Sequence, residues 1–237
     1  MVIFEKNWKR VKKKAILSKD RTRLWNFSKM EWIIKDIYAY VDKNGKKNIE
    51  ENLYVKFLSG DNCKVFKSDD KWTLFVGFAW LKDVPYHSDD ELNFATVIGH
   101  EFSHYFYEDS LYKGKTLTRI SMEMSLFSEV RADLYGKKVS RAILGSYRFD
   151  WVKGSESLKT GYPPLSLRLH LAKNYDDYNL KLVLYILSFL KRNGNPLQTF
   201  DYLLNYCEKM KKENKLKYNW LDELLFLDDL KKYKGLI

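Results

Sequence analysis

The segment Val97–Asp109, VIGHEFSHYFYED, holds two of the chain's four histidines, His100 and His104, with Glu101 directly after the first. An α-helix turns by about 100° per residue, so side chains four apart lie on one face, one turn apart. The two imidazoles are then close enough to share one ion, and zinc accepts imidazole nitrogen at about 2.0–2.1 Å. Glu101, offset by one residue, reaches a water on that ion without binding the ion itself. The chemistry this spacing supports is metal-assisted hydrolysis, with Glu101 moving the proton. Two hydrogen-bonded histidines on a purely structural helix satisfy the same spacing, so the rest of the chain has to decide.

A third ligand is needed for a hydrolytic zinc site with one open position. No further histidine follows at the spacing that would supply it. The acidic candidate is Glu129 in LFSEVRADLYGKKV, 25 residues past His104, with Asp133 one helical turn beyond. Glu129 serves as the third ligand. Asp133 accepts the free ring N–H of a ligand histidine, which fixes its tautomer and orientation. Glu123 competes for the ligand role, but Phe127 stands where the supporting acid should be.

These residues resemble a known group. HEFSH followed by Glu129-x-x-Ala132-Asp133 is similar to the gluzincin metallopeptidases, and within them to the HtpX-type and CAAX-prenyl-protease-type families. Tyr162–Arg168, YPPLSLR, resembles the segment that follows the ligand helix in that group, and DELNFATVIGHEFSH resembles its approach to the active-site helix. The same elements in the same order resemble phage-exclusion peptidases of the Lit type. The likeness covers about residues 89–168. It implies a zincin-like fold, one Zn2+ ion, and a protein or peptide substrate. It further implies an oxyanion donor near Tyr162, with His170 as the rival, and a structural role for Arg168 beside an acid of the site. Two departures stand out: the group's histidine before the proline pair is Tyr162 here, and its membrane spans are missing. The longest apolar run, LVLYILSFL at 182–190, is far short of the roughly 20 residues that span a bilayer.

The elements that must hold these residues follow from pattern. Ser88-Asp-Asp-Glu91 is a capping box. Leu92, Ala95, Ile98, Phe102 and Tyr105 recur at helical steps, which predicts one amphipathic helix over about 88–107. Gly99 weakens that helix by about 1 kcal/mol against Ala, which is compensated if another element approaches closely there. A second helix is predicted over about 120–139, carrying Glu129 and Asp133. Residues 5–19 and 28–42 read as helices. The runs 52–58, 63–67 and 72–81 read as strands between polar turns. The last of them is the candidate edge strand that a zincin uses to bind substrate backbone. Helices are predicted over about 176–192, 196–210 and 219–232. The fold class is therefore α+β, read as one domain over 1–237. It has a basic helical segment at 1–45, a catalytic core at 50–168 with a small N-terminal sheet, and a mainly helical part at 171–237.

Charge adds a second theme. The chain carries a net charge of +11. Residues 1–23 hold nine basic and two acidic side chains, interleaved with Trp8, Val11 and Ile16. Such a run is either the solvated face of a helix or a contact for nucleic acid or an anionic membrane. No zinc-finger, RNP or basic-zipper signature accompanies it. Two cysteines far apart, and an N-terminus without an apolar signal core, lead us to expect a cytoplasmic protein with reduced thiols. The function expected is zinc-dependent peptide hydrolysis. The alternative is a non-catalytic binding module with a structural or vestigial metal site, acting through residues 1–23.

Overall fold

The computed structural model describes residues 1–44, 52–68, 71–83, 88–106, 119–150 and 164–193, with Asp201 and Asn205. Its elements are β1 (Val2–Phe4), α1 (Lys6–Leu17), α2 (Arg21–Asn44), β2 (Leu53–Leu58), β3 (Lys64–Ser68), β4 (Lys71–Gly77), α3 (Trp80–Asp83), α4 (Ser88–Phe106), α5 (Arg119–Leu144), α6 (Leu165–Asn174) and α7 (Leu180–Asn193). The class is α+β, mostly helical, with one small mixed sheet. No described helix is long and apolar enough to cross a membrane.

Two compact units emerge from the internal contacts. One comprises residues 1–106 and 135–151, and the other residues 107–134 and 152–237. The first unit holds the sheet, α1 to α4 and the C-terminal part of α5. The second holds the N-terminal part of α5, with α6 and α7. The helix α5 itself is unbroken. Tyr162, Cys207 and the helix expected over 219–232 lie outside the described residues. The helix expected over 196–210 is described only at Asp201 and Asn205, both helical.

The second predicted helix begins at Arg21, seven residues before the expected 28. The cause is the corner that precedes it. Lys19 adopts φ 53°, the left-handed region that usually calls for Gly. The Lys19 N–H donates to Ile16 O at 3.1 Å and the Asp20 N–H to Ala15 O at 3.0 Å, closing α1 in a Schellman arrangement. Asp20 then caps the next helix, its Oδ1 accepting the Arg23 N–H at 2.9 Å. With a lysine at the reversal, the sequence carries no Gly to announce it.

The sheet order is β1-β2-β4-β3. β1 pairs with β2 and β2 with β4 in parallel, while β3 runs antiparallel to β4. This corrects the expectation for 72–81. That strand is interior, with both sides of its main chain engaged in ladders, so it cannot accept an added strand. Among the described residues the edge strand next to it is β3. The strand also stops at Gly77 rather than continuing to 81. A Cβ there would sit 2.6 Å from the Asp61 carbonyl carbon, and the Phe78 and Ala79 N–H groups turn to Leu58 O and Gly60 O. The three-residue β1 is too short to leave a periodic signal.

One face of the sheet is apolar and covered by helices. Trp8 of α1 is fully buried, stacked on Phe57 at 4.2 Å and edge-on to Phe27 of α2. Trp72 of β4 meets Tyr105 of α4 edge-on at 4.9 Å. Ile33, Ile34 and Ile37 of α2 complete this core beside Phe94, Ile98 and Phe102 of α4. Burying each such side chain contributes roughly 1.5–3 kcal/mol.

Candidate metal centre

Within the first unit, α4 and α5 meet where neither carries a side chain. A Cβ built on Gly99 would lie 2.9 Å from the Gly136 Cα. One built on Gly136 would collide with the Thr96 carbonyl oxygen and approach His100 N to 3.0 Å. The close approach expected at Gly99 is thus made by Gly136, and its purpose is steric: only two glycines let the backbones touch. His100 follows Gly99 directly, so the crossing fixes the position of the first histidine. Glu129 lies seven residues before Gly136 on the same helix, two turns away.

The segment after α5 holds the α4 side of this arrangement. Beyond Gly145 (φ 77°), the Arg148 N–H donates to Thr96 Oγ1 at 3.4 Å and the Asp150 N–H to Asn93 Oδ1 at 3.1 Å. The Arg148 guanidinium lies 2.8 Å from Asp89 in the first turn of α4. Asp89, Asp90 and Glu91 place negative charge at the positive end of the α4 dipole, as the sequence anticipated.

His100 and His104 project from one side of α4 with their Nε2 atoms 3.1 Å apart. His100 is buried and His104 half-buried. Two ligands on one tetrahedral ion at about 2.0–2.1 Å stand about 3.3 Å from each other, so this separation suits a shared zinc. A ligand atom from each of His100, His104 and Glu129 lies within 4.8 Å of the other two. The donor set is two imidazole nitrogens and one carboxylate oxygen, which zinc accepts in hydrolytic sites. Glu123, the competing candidate, falls on α5 where the side chains are not described.

Glu101 is buried beside this group, and its Oε2 accepts the Val65 N–H from β3 at 2.8 Å. No residue type announces this contact, because a main-chain donor has no side-chain signature. It sets which way the carboxylate faces, and it ties the edge strand β3 to the helix that bears the histidines. Cys63 sits two residues before Val65. Burial pushes its thiol well up; a backbone hydrogen bond with Gly77 opposes the shift, and charge on Glu101 and Asp61 reinforces it.

Asp133 and Arg168, both in the second unit, form a buried bidentate pair. Arg168 Nε donates to Asp133 Oδ2 at 2.6 Å and Nη2 to Oδ1 at 2.5 Å. An ionised carboxylate has about four acceptor sites. The Arg168 pair uses two of them, so it does not by itself preclude the acceptor role expected toward a ligand histidine. His170, two residues beyond Arg168 on α6, is exposed. Its ring stacks on Tyr185 at 5.3 Å, and Asn174 lies 3.3 Å from its Nδ1. It is not a member of the three-ligand group. Tyr162, the other candidate oxyanion donor, lies outside the described residues.

Comparison with protein-family models, with curated proteins and with solved structures gives no match in any of the three.

Proposed function

We propose that the chain is a zinc-dependent peptidase of gluzincin type, with His100, His104 and Glu129 as ligands. The observation that carries this reading is the convergence of those three ligand atoms beside a buried Glu101 whose second oxygen is held by the β3 main chain. The donor set and the 3.1 Å separation of the imidazole nitrogens fit zinc. When bound, the ion supplies a Lewis acid that acidifies water and polarises a carbonyl. Glu101 takes the proton of the attacking water and returns it to the leaving amine. The Val65 N–H keeps its carboxylate oriented between those two transfers. An extended peptide pairs with the outer edge of β3 at positions other than the Val65 N–H, which Glu101 holds, main chain to main chain, and this gives affinity with little demand on side chains. Tyr162 or His170 donates to the oxyanion, and Asp133 steadies a ligand imidazole while Arg168 holds Asp133.

A purely binding role through residues 1–23 has less support. On α1, Trp8 and Ala15 are buried, Lys12 pairs with Glu31 at 2.7 Å, and Lys9, Arg10, Lys13 and Lys14 are exposed. That is the pattern of a helix lying on α2 and β2 with a solvated outer face.

The test combines metal content with turnover. Mass spectrometry of wild type should find about one zinc per chain, sharply reduced in Glu129→Ala. Glu101→Gln should keep the zinc and lose hydrolysis of a denatured protein substrate. Wild type that takes up no zinc on reconstitution would end the hydrolase reading. A fully active Glu101→Gln would remove Glu101 from the mechanism.

A further inference from the structure

The face of the sheet turned away from the helices has a composition that a peptidase core does not require. The register places Lys56, Phe75 and Lys64 side by side across β2, β4 and β3, and Tyr54, Thr73 and Phe66 in the next row. Residues directly opposite on neighbouring strands share a face, so these six side chains form one surface. Lys71 lies on it too, with its Nζ 3.7 Å from the centre of the Tyr54 ring. The Lys56 and Lys64 ammonium groups stand 4.8 and 5.3 Å from the Phe75 ring centre. Phe66 is 54% exposed, and Lys64, Ser68 and Lys71 are exposed with it. Glu5, 3.0 Å from Lys71, is an acid at the rim.

We infer that this face binds single-stranded nucleic acid, with Tyr54, Phe75 and Phe66 as stacking positions and Lys56, Lys64 and Lys71 as phosphate partners. The three rings zigzag across three adjacent strands: Tyr54 and Phe66 share a row, and Phe75, between them in the next row, is about 7–8 Å diagonally from each. A four-stranded sheet with two or three aromatics on an open face is a recurring platform for unstacked bases. The lysines now lie over the rings, and the competition favours the bases. An exposed cation–π contact is worth about a two- to five-fold equilibrium preference. A base stacked on an aromatic is worth about five- to a hundred-fold. A lysine displaced from a ring remains beside it, where a phosphate follows the base. An acidic peptide would use the lysines but has no need of three rings between them. The buried Thr73 and exposed Ser68 offer little for reading base edges, so binding should tolerate many sequences. This surface is distinct from the basic helix α1, and the inference does not depend on the peptidase reading.

The test is fluorescence anisotropy of the full chain with a short labelled oligouridine and oligothymidine at about 50 mM and about 200 mM salt. Phe66→Ala should weaken binding about ten-fold without unfolding the protein, since that ring is largely in solvent. The double variant Lys56→Glu, Lys64→Glu should weaken it further and lower the slope of log affinity against log salt by about 1.4. Lys9→Glu with Lys13→Glu, on the outer face of α1, should leave binding unchanged. The inference is overturned by any of four results. These are no binding at the lower salt, equal affinity for a duplex, an unchanged Phe66→Ala whose binding a polyglutamate peptide displaces, or loss of binding in the α1 variant.

Discussion

Two ion pairs of nearly equal length sit in different regions and do different things. Lys12–Glu31, between α1 and α2, spans 2.7 Å with its side chains 33% and 16% exposed. Arg168–Asp133, one turn beyond Glu129, spans 2.5 Å with 4% and 3% exposed. Distance does not separate them; solvent does. The first pair is screened by water and salt, and contributes at most about 1 kcal/mol. The second has both charges removed from water, so neither partner can be lost cheaply. The net positive charge of the chain is visible mainly in the first kind of residue. The candidate site draws on the second kind at His100, Glu101, Asp133 and Arg168, with His104 and Glu129 half-buried.

The comparison breaks most clearly if Arg168 is removed. Arg168→Met removes the buried cationic partner of Asp133, and should lower unfolding stability by about 3–5 kcal/mol in urea titration. Lys12→Met should change it by less than about 1 kcal/mol. The double variant Arg168→Met, Asp133→Leu should recover much of the loss, because an apolar pair needs no compensation. Equal effects from Arg168→Met and Lys12→Met would show that burial is not the deciding variable.

A smaller effect is expected where the site depends on backbone contact instead of charge. Gly136→Ala drives a methyl into the Thr96 carbonyl. Overpacking of this kind costs about 1–3 kcal/mol, of which better helix propensity returns up to about 1. The two helices must separate, so zinc affinity measured by competition with a chelator should fall along with stability. Unchanged zinc affinity would show that the crossing does not position the ligands.

The smallest effect sharpens the role of burial through pH. The folded Cys63 thiol is raised above its unfolded value, so the folded state holds its proton after the unfolded chain has released it. Its contribution is therefore full below the unfolded thiol range, near 8.5, and declines as pH climbs above that. Relative to Cys63→Ala, wild type should lose at most about 1.4 kcal/mol per pH unit on that alkaline limb. Parallel stability curves for the two proteins between pH 8 and 10 would contradict the burial of the thiol.

Much of the site was legible because its parts are local. The Ser88 start, the apolar period of α4 and the His100–His104 spacing fall within one helix. Glu129 is found by the same logic one helix later. What sequence could not show is contact between distant main chains. β2 pairs in parallel with β4 rather than with its sequence neighbour β3, which makes β4 interior and leaves β3 at the edge, and β1 joins β2 from some fifty residues before. The Val65 N–H that orients Glu101 belongs to a residue type with no polar side chain. Asp133 was noticed as an acid one turn from Glu129. Arg168 was expected beside an acid of the site, but it stands 35 positions after Asp133, and the chain between gives no register from which to pair the two.

The unbroken run of α5 through Glu129 and Gly136 acts as a phase lock. Inserting one residue between them would leave a good helix, yet rotate Glu129 by about 100° away from the two histidines. Inserting a whole pair of turns would restore its direction but shift it about 10 Å along the axis. Neither change touches a ligand, and both abolish the group. The group therefore depends on the interval between the carboxylate and the glycine as much as on either residue, and an insertion between positions 129 and 136 should cost more metal binding than one in a surface loop.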